Sequence, residues 1–193
     1  MREKEFLTRF HHLRKVVPEQ DYPLRNAGKP AGVLIPIIKN PTQLSILLTK
    51  RAAHLKHHPG QISFPGGRQE DSDIDAIGAA IRETKEEIGI HADQIEIIGT
   101  LPMFRTISGY EMVPVVGIVE NNIPLSLDHN EVEAAFEVPL MHVLDRKNHF
   151  VHWIKRGNGR YPVYFIPANN TYIWGATAAI LRNLSYHIYS GQD

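Results

Sequence analysis

The chain has 193 residues, 21 lysines and arginines against 21 aspartates and glutamates, 42% apolar residues and no cysteine. This is the composition of one soluble globular domain; it excludes a disulfide framework, a thiolate metal site and a cysteine nucleophile, and its charge balance argues against nucleic acid, whose phosphates need a basic footprint. The N-terminus lacks the apolar core of a signal peptide and no apolar run is long enough to span a bilayer, so a cytoplasmic protein with no membrane partner is expected.

Phe6, Leu7, Phe10 and Leu13 recur at helical spacing, which predicts a short helix within Glu3 to Val16. The breakers Pro18, Pro23, Gly28 and Pro30 then mark a connector, so residues 1–30 form a helix and linker ahead of a main domain at 31–193. Ala31 to Ile38 and Leu44 to Lys50 read as paired strands about the turn Lys39-Asn40-Pro41-Thr42. Ile77, Ala80, Ile81, Thr84 and Ile88 form one face of an amphipathic helix, which Asp73 or Asp75 can cap and Gly89 can stop. Further strands are expected at Ile95 to Met103, Met112 to Val119, Phe150 to Lys155 and Val163 to Pro167, with a short helix at Pro139 to Asp145 and a closing helix at Gly175 to Tyr189. Strands interrupted by helices predict an α/β (α+β) fold, a mixed sheet covered by helices on both faces.

The chemistry concentrates in Arg82-Glu83-Thr84-Lys85-Glu86-Glu87-Ile88-Gly89. On a helix Glu83, Glu86 and Glu87 project from one face. Like charges at this spacing repel, so hard cations such as Mg²⁺ or Mn²⁺ between their oxygens explain the pattern better than a bare acidic surface. Before the helix, Pro65-Gly66-Gly67 forms a turn whose backbone can approach a ligand closely.

Gly67, Arg82, Glu83, Glu86, Glu87, Gly89 and Ile90 match the box of the Nudix hydrolases, which this sequence resembles. It departs from that box in three ways: Asp73 stands where the first glutamate is usual, one residue further from Arg82, and Thr84 takes an apolar slot. Upstream, Leu47-Leu48-Thr49 and the run from Arg51 through Gln61 to Phe64-Pro65-Gly66-Gly67 look like the signature of the coenzyme A pyrophosphatase branch, with Lys56 in place of the usual arginine. Lysine keeps the charge but loses the planar fork that grips phosphate. Gly109 to Gly117 and Trp174-Gly175-Ala176-Thr177-Ala178 continue the likeness.

The resemblance implies an α/β/α sandwich and hydrolysis of a phosphoric anhydride in a small-molecule nucleotide substrate. Coenzyme A or acyl-CoA leads; ADP-ribose, NADH or a non-catalytic binding module are the alternatives. It also implies Glu83, Glu87 and Glu86 as ligands of Mg²⁺ or Mn²⁺, with the Gly66 carbonyl as a further one. The general base is either a box glutamate or a distal one, for which Glu131 is the candidate, an exposed loop acid being its plain alternative. Arg82 is a catalytic candidate or simply the i,i+4 partner of Glu86. Arg51, Lys56 and Arg105 can contact phosphate or be ordinary surface charge. His54, His57 and His58 suit phosphate contact or solvent better than zinc, and Trp174 and Tyr110 can stack on adenine or merely pack. Oligomeric state is open, a homodimer included.

Overall fold

Long runs of β-branched and apolar residues build strands buried on both sides. In the computed structural model, which describes residues 1–12, 27–157 and 159–189, β1 (Lys29–Lys39) and β7 (Tyr110–Glu120) run parallel over their whole length. Parallel pairs require covered faces, and both strands are buried along most of their course. Antiparallel neighbours complete a mixed eight-stranded sheet. Here β2 (Leu44–Arg51) and β4 (Gly66–Arg68) pair with β1, β3 (Ile62–Ser63) and β8 (Val132–Pro139) with β2, and β5 (Ile95–Thr100) and β6 (Phe104–Arg105) with β7.

Helix α2 (Ala76–Ile88) covers one face, its Ala80 and Ile88 packing with Leu34, Leu47 and Val115. Helices α1 (Glu3–Phe10), α3 (Leu140–Leu144) and α4 (Ala176–Tyr189) border a larger cluster that includes Phe6, Phe10, Ile35, Leu144 and Leu184. The expected mixed sheet between helices is present. A second sheet, β11 (Thr171–Trp174), β10 (Gly159–Ala168) and β9 (Phe150–Arg156) in that order, contributes Tyr164, Ile166 and Ile173 to the larger core. No helix of the described residues is long and apolar enough to cross a membrane.

Several boundaries shift for physical reasons. Helix α1 ends at Phe10, with the His11 N–H on the Leu7 carbonyl; Leu13 to Val16 and most of the proposed connector lie outside the described residues. Lys29 and Pro30, assigned to that connector, already pair with β7. β5 stops at Thr100, short of Met103; a bulge between Ile97 and Gly99 shifts its register, and pairing with β7 resumes at Gly99 and Thr100. β8 was not anticipated: Val-Glu-Ala-Ala-Phe-Glu-Val-Pro has weak strand propensity, and its pairing with β2 from Arg51 to Ser45 overrides it.

His149 gives the fold a pH dependence. It is 8% exposed, one ring nitrogen lies 2.8 Å from the Val143 carbonyl, and burial pushes its pKa down. A depressed histidine pKa means that the unfolded chain binds the extra proton, so this contribution to stability is intact above the ordinary value of 6.5 and is lost as pH falls below it. His149→Gln, which can still donate to Val143, is expected to lower Tm less than the wild type between pH 7.5 and 5.5. Parallel thermal melts check this.

Candidate active site

Helix α2 starts at Asp75, whose carboxylate accepts the Gly78 N–H at 2.9 Å, and stops at Gly89, left-handed with φ 78°. Asp75 is therefore the cap. Asp73 instead takes the Arg82 guanidinium through both oxygens, at 3.1 and 3.0 Å, and accepts the Glu70 N–H at 2.8 Å. The guanidinium holds the Asp73 carboxyl below the usual range. The longer loop still delivers a carboxylate to Arg82.

Arg82 does more than pair along the helix. Its Nη1 donates to Glu83 and Glu86, 2.9 Å from each, and its Nη2 reaches the Arg68 carbonyl at 3.1 Å. One guanidinium thus ties β4, the loop and two of the three glutamates together. Among the described residues no three His, Asp or Glu side chains already converge at metal-ligating spacing. Arg82 is the counter-charge on which Glu83 and Glu86 settle instead.

Glu87 lies deeper, 4% exposed, with Oε2 lacking any hydrogen-bond partner among the described residues. Burial pushes its pKa up to about 8, against the pull of the Arg51 guanidinium and the Gly66 N–H. Glu83 is also raised by burial, with Arg82 opposing. A buried carboxylate with an unused oxygen suits a hard cation, which takes oxygen ligands and removes the cost of the charge.

Two glycines let the helix lie this close to the sheet. A Cβ at Gly67 would sit 2.5 Å from the Glu83 carboxyl carbon, and one at Gly32 only 1.8 Å from the Ala76 carbonyl oxygen.

The segment before β8 brings in the distal acid. The Ser126 and Asp128 N–H groups donate to the Ile88 and Glu87 carbonyls at 3.0 Å each, and the Ala52 N–H to the Glu131 carbonyl at 2.8 Å. Glu131 is exposed, yet its charge acts on both Glu83 and Glu87. Arg51 stands at a bulge in β2 and faces Glu87 electrostatically. Its backbone closes the loop carrying Lys56, through the Arg51 N–H to Gln61 and the Gly60 N–H to Arg51.

Other candidates stand apart. Lys56, His54, His57 and His58 are exposed on that loop. Arg105 is ion-paired with Glu111 at 3.3 Å. Trp174 stacks on Phe165 at 6.4 Å, and the Lys29 ammonium lies 6.0 Å over the Tyr110 ring. Gly32 and the Ser126–Asp128 anchor were missed: a glycine's neighbour across a sheet and a backbone donor leave no periodicity to read.

The NUDIX domain family model matches residues 28–156. A relative described as an uncharacterized Nudix hydrolase, NudL, of Escherichia coli (strain K12) is 39% identical over 184 residues, 95% of this chain and 93% of its own; that of Escherichia fergusonii is 38% identical over the same span. Among solved structures, a MutT/nudix family protein from Enterococcus faecalis superposes with a TM-score of 0.52 at 16% identity, covering 96% of this chain and 68% of that one. The Nudix hydrolase RenU from M. smegmatis gives 0.51 at 22% identity, covering 61% and 74%. At such identities the structures speak for the fold, while the family match and the relatives carry the assignment: this chain belongs to the Nudix hydrolase family.

Proposed function

We propose that this protein hydrolyses the pyrophosphate bond of coenzyme A or an acyl-CoA with Mg²⁺ or Mn²⁺, releasing adenosine 3′,5′-bisphosphate and (acyl-)4′-phosphopantetheine. Nudix hydrolases generally use such divalent metals. The observation that carries the hydrolytic part is Glu87, a buried carboxylate with an unpartnered oxygen beside Glu83 and the Gly66 amide. Glu83, Glu86, Glu87 and the Gly66 carbonyl would hold the metal, which when bound polarises phosphoryl oxygens and acidifies water. Arg82 positions Glu83 and Glu86. Glu131, solvent-facing at the rim, takes the proton of the attacking water on its carboxylate. Arg51 and Lys56 bind substrate phosphates, and Arg105 reaches one only by leaving Glu111.

The coenzyme A part is supported by the Arg51–Gln61 stretch, which resembles that branch and is fastened to Glu131 through Ala52. The test is a panel of coenzyme A, its 3′-dephospho analogue, ADP-ribose and NADH. Turnover should vanish on exhaustive chelation and return with Mg²⁺ or Mn²⁺. Coenzyme A should show the highest kcat/KM, and Lys56→Ala should cut its advantage over the 3′-dephospho analogue. The expected cut is about 1.5–3 kcal/mol, the worth of a hydrogen bond to a charged group. Equal efficiency on both compounds, or a preference for ADP-ribose or NADH, would sink the coenzyme A assignment alone.

A further inference from the structure

Charge is unevenly placed along this chain. Residues 146–192 contain six cations, Arg146, Lys147, Lys155, Arg156, Arg160 and Arg182, and no aspartate or glutamate, although the whole chain balances at 21 of each sign. Such asymmetry points to an anionic partner for the basic part. All but Arg182 lie on the sheet of β9, β10 and β11 or in the turn Arg146–Asn148 just before it. Asp145, the acid that precedes this stretch, accepts the Lys147 N–H at 3.0 Å.

The same small sheet carries five of the ten large apolar side chains exposed among the described residues: Phe150, Val151, Trp153, Tyr172 and Trp174. Single exposed apolar residues are ordinary, but here the register gathers aromatics on one face. Phe165 pairs with both Phe150 and Trp174, which makes a cross-strand row, and Tyr172 stands two residues from Trp174. Phe165 stacks on Trp174 at 6.4 Å and meets Tyr172 edge-on at 6.5 Å. The reverse face gives Tyr164, Ile166 and Ile173 to the core, so the aromatic face is turned away from the body of the protein. Phe150 and Tyr172 are each 57% exposed on it. Its only Lys, Arg, Asp or Glu is Arg156, at the hairpin end, where Lys155 and Arg160 flank it; Arg146 and Lys147 border the opposite end.

We propose that this aromatic face docks on an anionic phospholipid surface. Aromatic rings settle at headgroup depth, where the ring is dry and its polar atom wet, and cations bordering an apolar patch are drawn to lipid phosphates. That attraction reaches about 10 Å, so Lys155 and Arg160 contribute although their positions in the ladder lie on the reverse face. Nucleic acid fits less well. Its phosphates alternate with its bases and call for cations interleaved with the stacking rings, whereas here the cations stand at the ends of an uncharged aromatic row. Depth is limited by the backbone. Among the described residues the outer edge of β9 has no strand partner, and its N–H and C=O groups must keep water, so the sheet lies in the headgroup layer and not in hydrocarbon. The expectation of no membrane partner rested on the lack of a spanning segment, which surface docking does not need.

At low salt the full chain should float with vesicles of phosphatidylcholine containing about one-third phosphatidylglycerol, and should bind pure phosphatidylcholine about tenfold more weakly or less. Replacing Lys147 and Lys155 together by glutamine should weaken partitioning about 25-fold, at roughly fivefold for each cation near the surface. Phe150→Ser should cost about tenfold. All three side chains are exposed, so the circular-dichroism spectrum and Tm should be retained. The chain's two tryptophans report the docked face, because Trp174 lies on it and Trp153, three residues from Phe150, lies on the reverse. In Trp153→Phe, saturating anionic vesicles should move the remaining emission to the blue and shield it from iodide. In Trp174→Phe, the emission of Trp153 should stay open to iodide. Failure to float with anionic vesicles overturns the proposal. So does binding indifferent to the lysine and Phe150 substitutions, shielding of Trp153 in place of Trp174, or a preference for a single-stranded oligonucleotide over the vesicles.

Discussion

Replacing Glu87 by glutamine is expected to reduce kcat by about 10² or more, the scale of a lost electrostatic stabiliser, while leaving Tm in metal-free buffer as high as that of the wild type or higher. The two effects have one cause. Burial raises the Glu87 pKa to about 8 from its ordinary 4.5, so the folded protein holds a proton that the unfolded chain releases. For an acid shifted upward the sign is the reverse of the familiar carboxylate case: stability falls as pH rises from 4.5 through 8. Glutamine resembles the protonated form and never pays that cost, but it cannot supply the charge that holds a hard cation. Melting curves at pH 6 and 8 with chelator, beside turnover with Mg²⁺, test both halves. The gap in Tm in favour of Glu87→Gln should widen toward pH 8. Glu83→Gln should match the loss of turnover with a smaller stability gain, since Arg82 already offsets part of the burial of Glu83. Wild-type turnover in either variant would remove these glutamates from the chemistry.

What could be read from the sequence follows from how local each signal is. Helix α2 was readable because its apolar stripe, its aspartate cap and its terminal glycine all lie within one turn of where they act. The three glutamates came with it, since helical spacing alone puts them on one face. Glu131 was reachable only through the family likeness, because its approach depends on the Ser126 and Asp128 donors to the end of α2 and on Ala52 across the sheet. Arg82 was half understood. The i,i+4 bond to Glu86 is written in the helix, but the grip on Asp73 runs through a loop whose path no periodicity specifies. β8 stayed hidden because partner strands, not its own residues, make it extended. β3, β4, β6 and β11, two to four residues each, are too short for any period to register.

Gly67→Ala should disable the enzyme with little effect on the fold, and the reason lies in one distance. An added Cβ would stand 2.5 Å from the Glu83 carboxyl carbon and Oε1, and 2.8 Å from Oε2. It meets the end of a flexible side chain, so the cheapest response is for Glu83 to swing away, leaving the Arg82 nitrogen that it shares with Glu86. Its neighbour behaves differently. At Gly66 the φ of 145° disfavours any side chain, and a Cβ would also strike the Gly32 carbonyl oxygen at 2.4 Å, so Gly66→Ala should cost stability as well. Gly67 has no left-handed φ and pairs with Gly32 in an ordinary antiparallel ladder, and the three atoms nearest an alanine Cβ there all belong to the Glu83 carboxyl group. The expected loss in kcat is roughly 10- to 100-fold, on the scale of a catalytic group misplaced by about 1 Å, with Tm close to wild type. A second substitution separates this from general damage to β4. Glu83→Asp withdraws the carboxylate by one methylene, so in the Gly67→Ala background it should cost far less than it does alone. Double-mutant kinetics read that coupling directly; strictly additive losses would mean that Gly67 acts through the strand and not through Glu83.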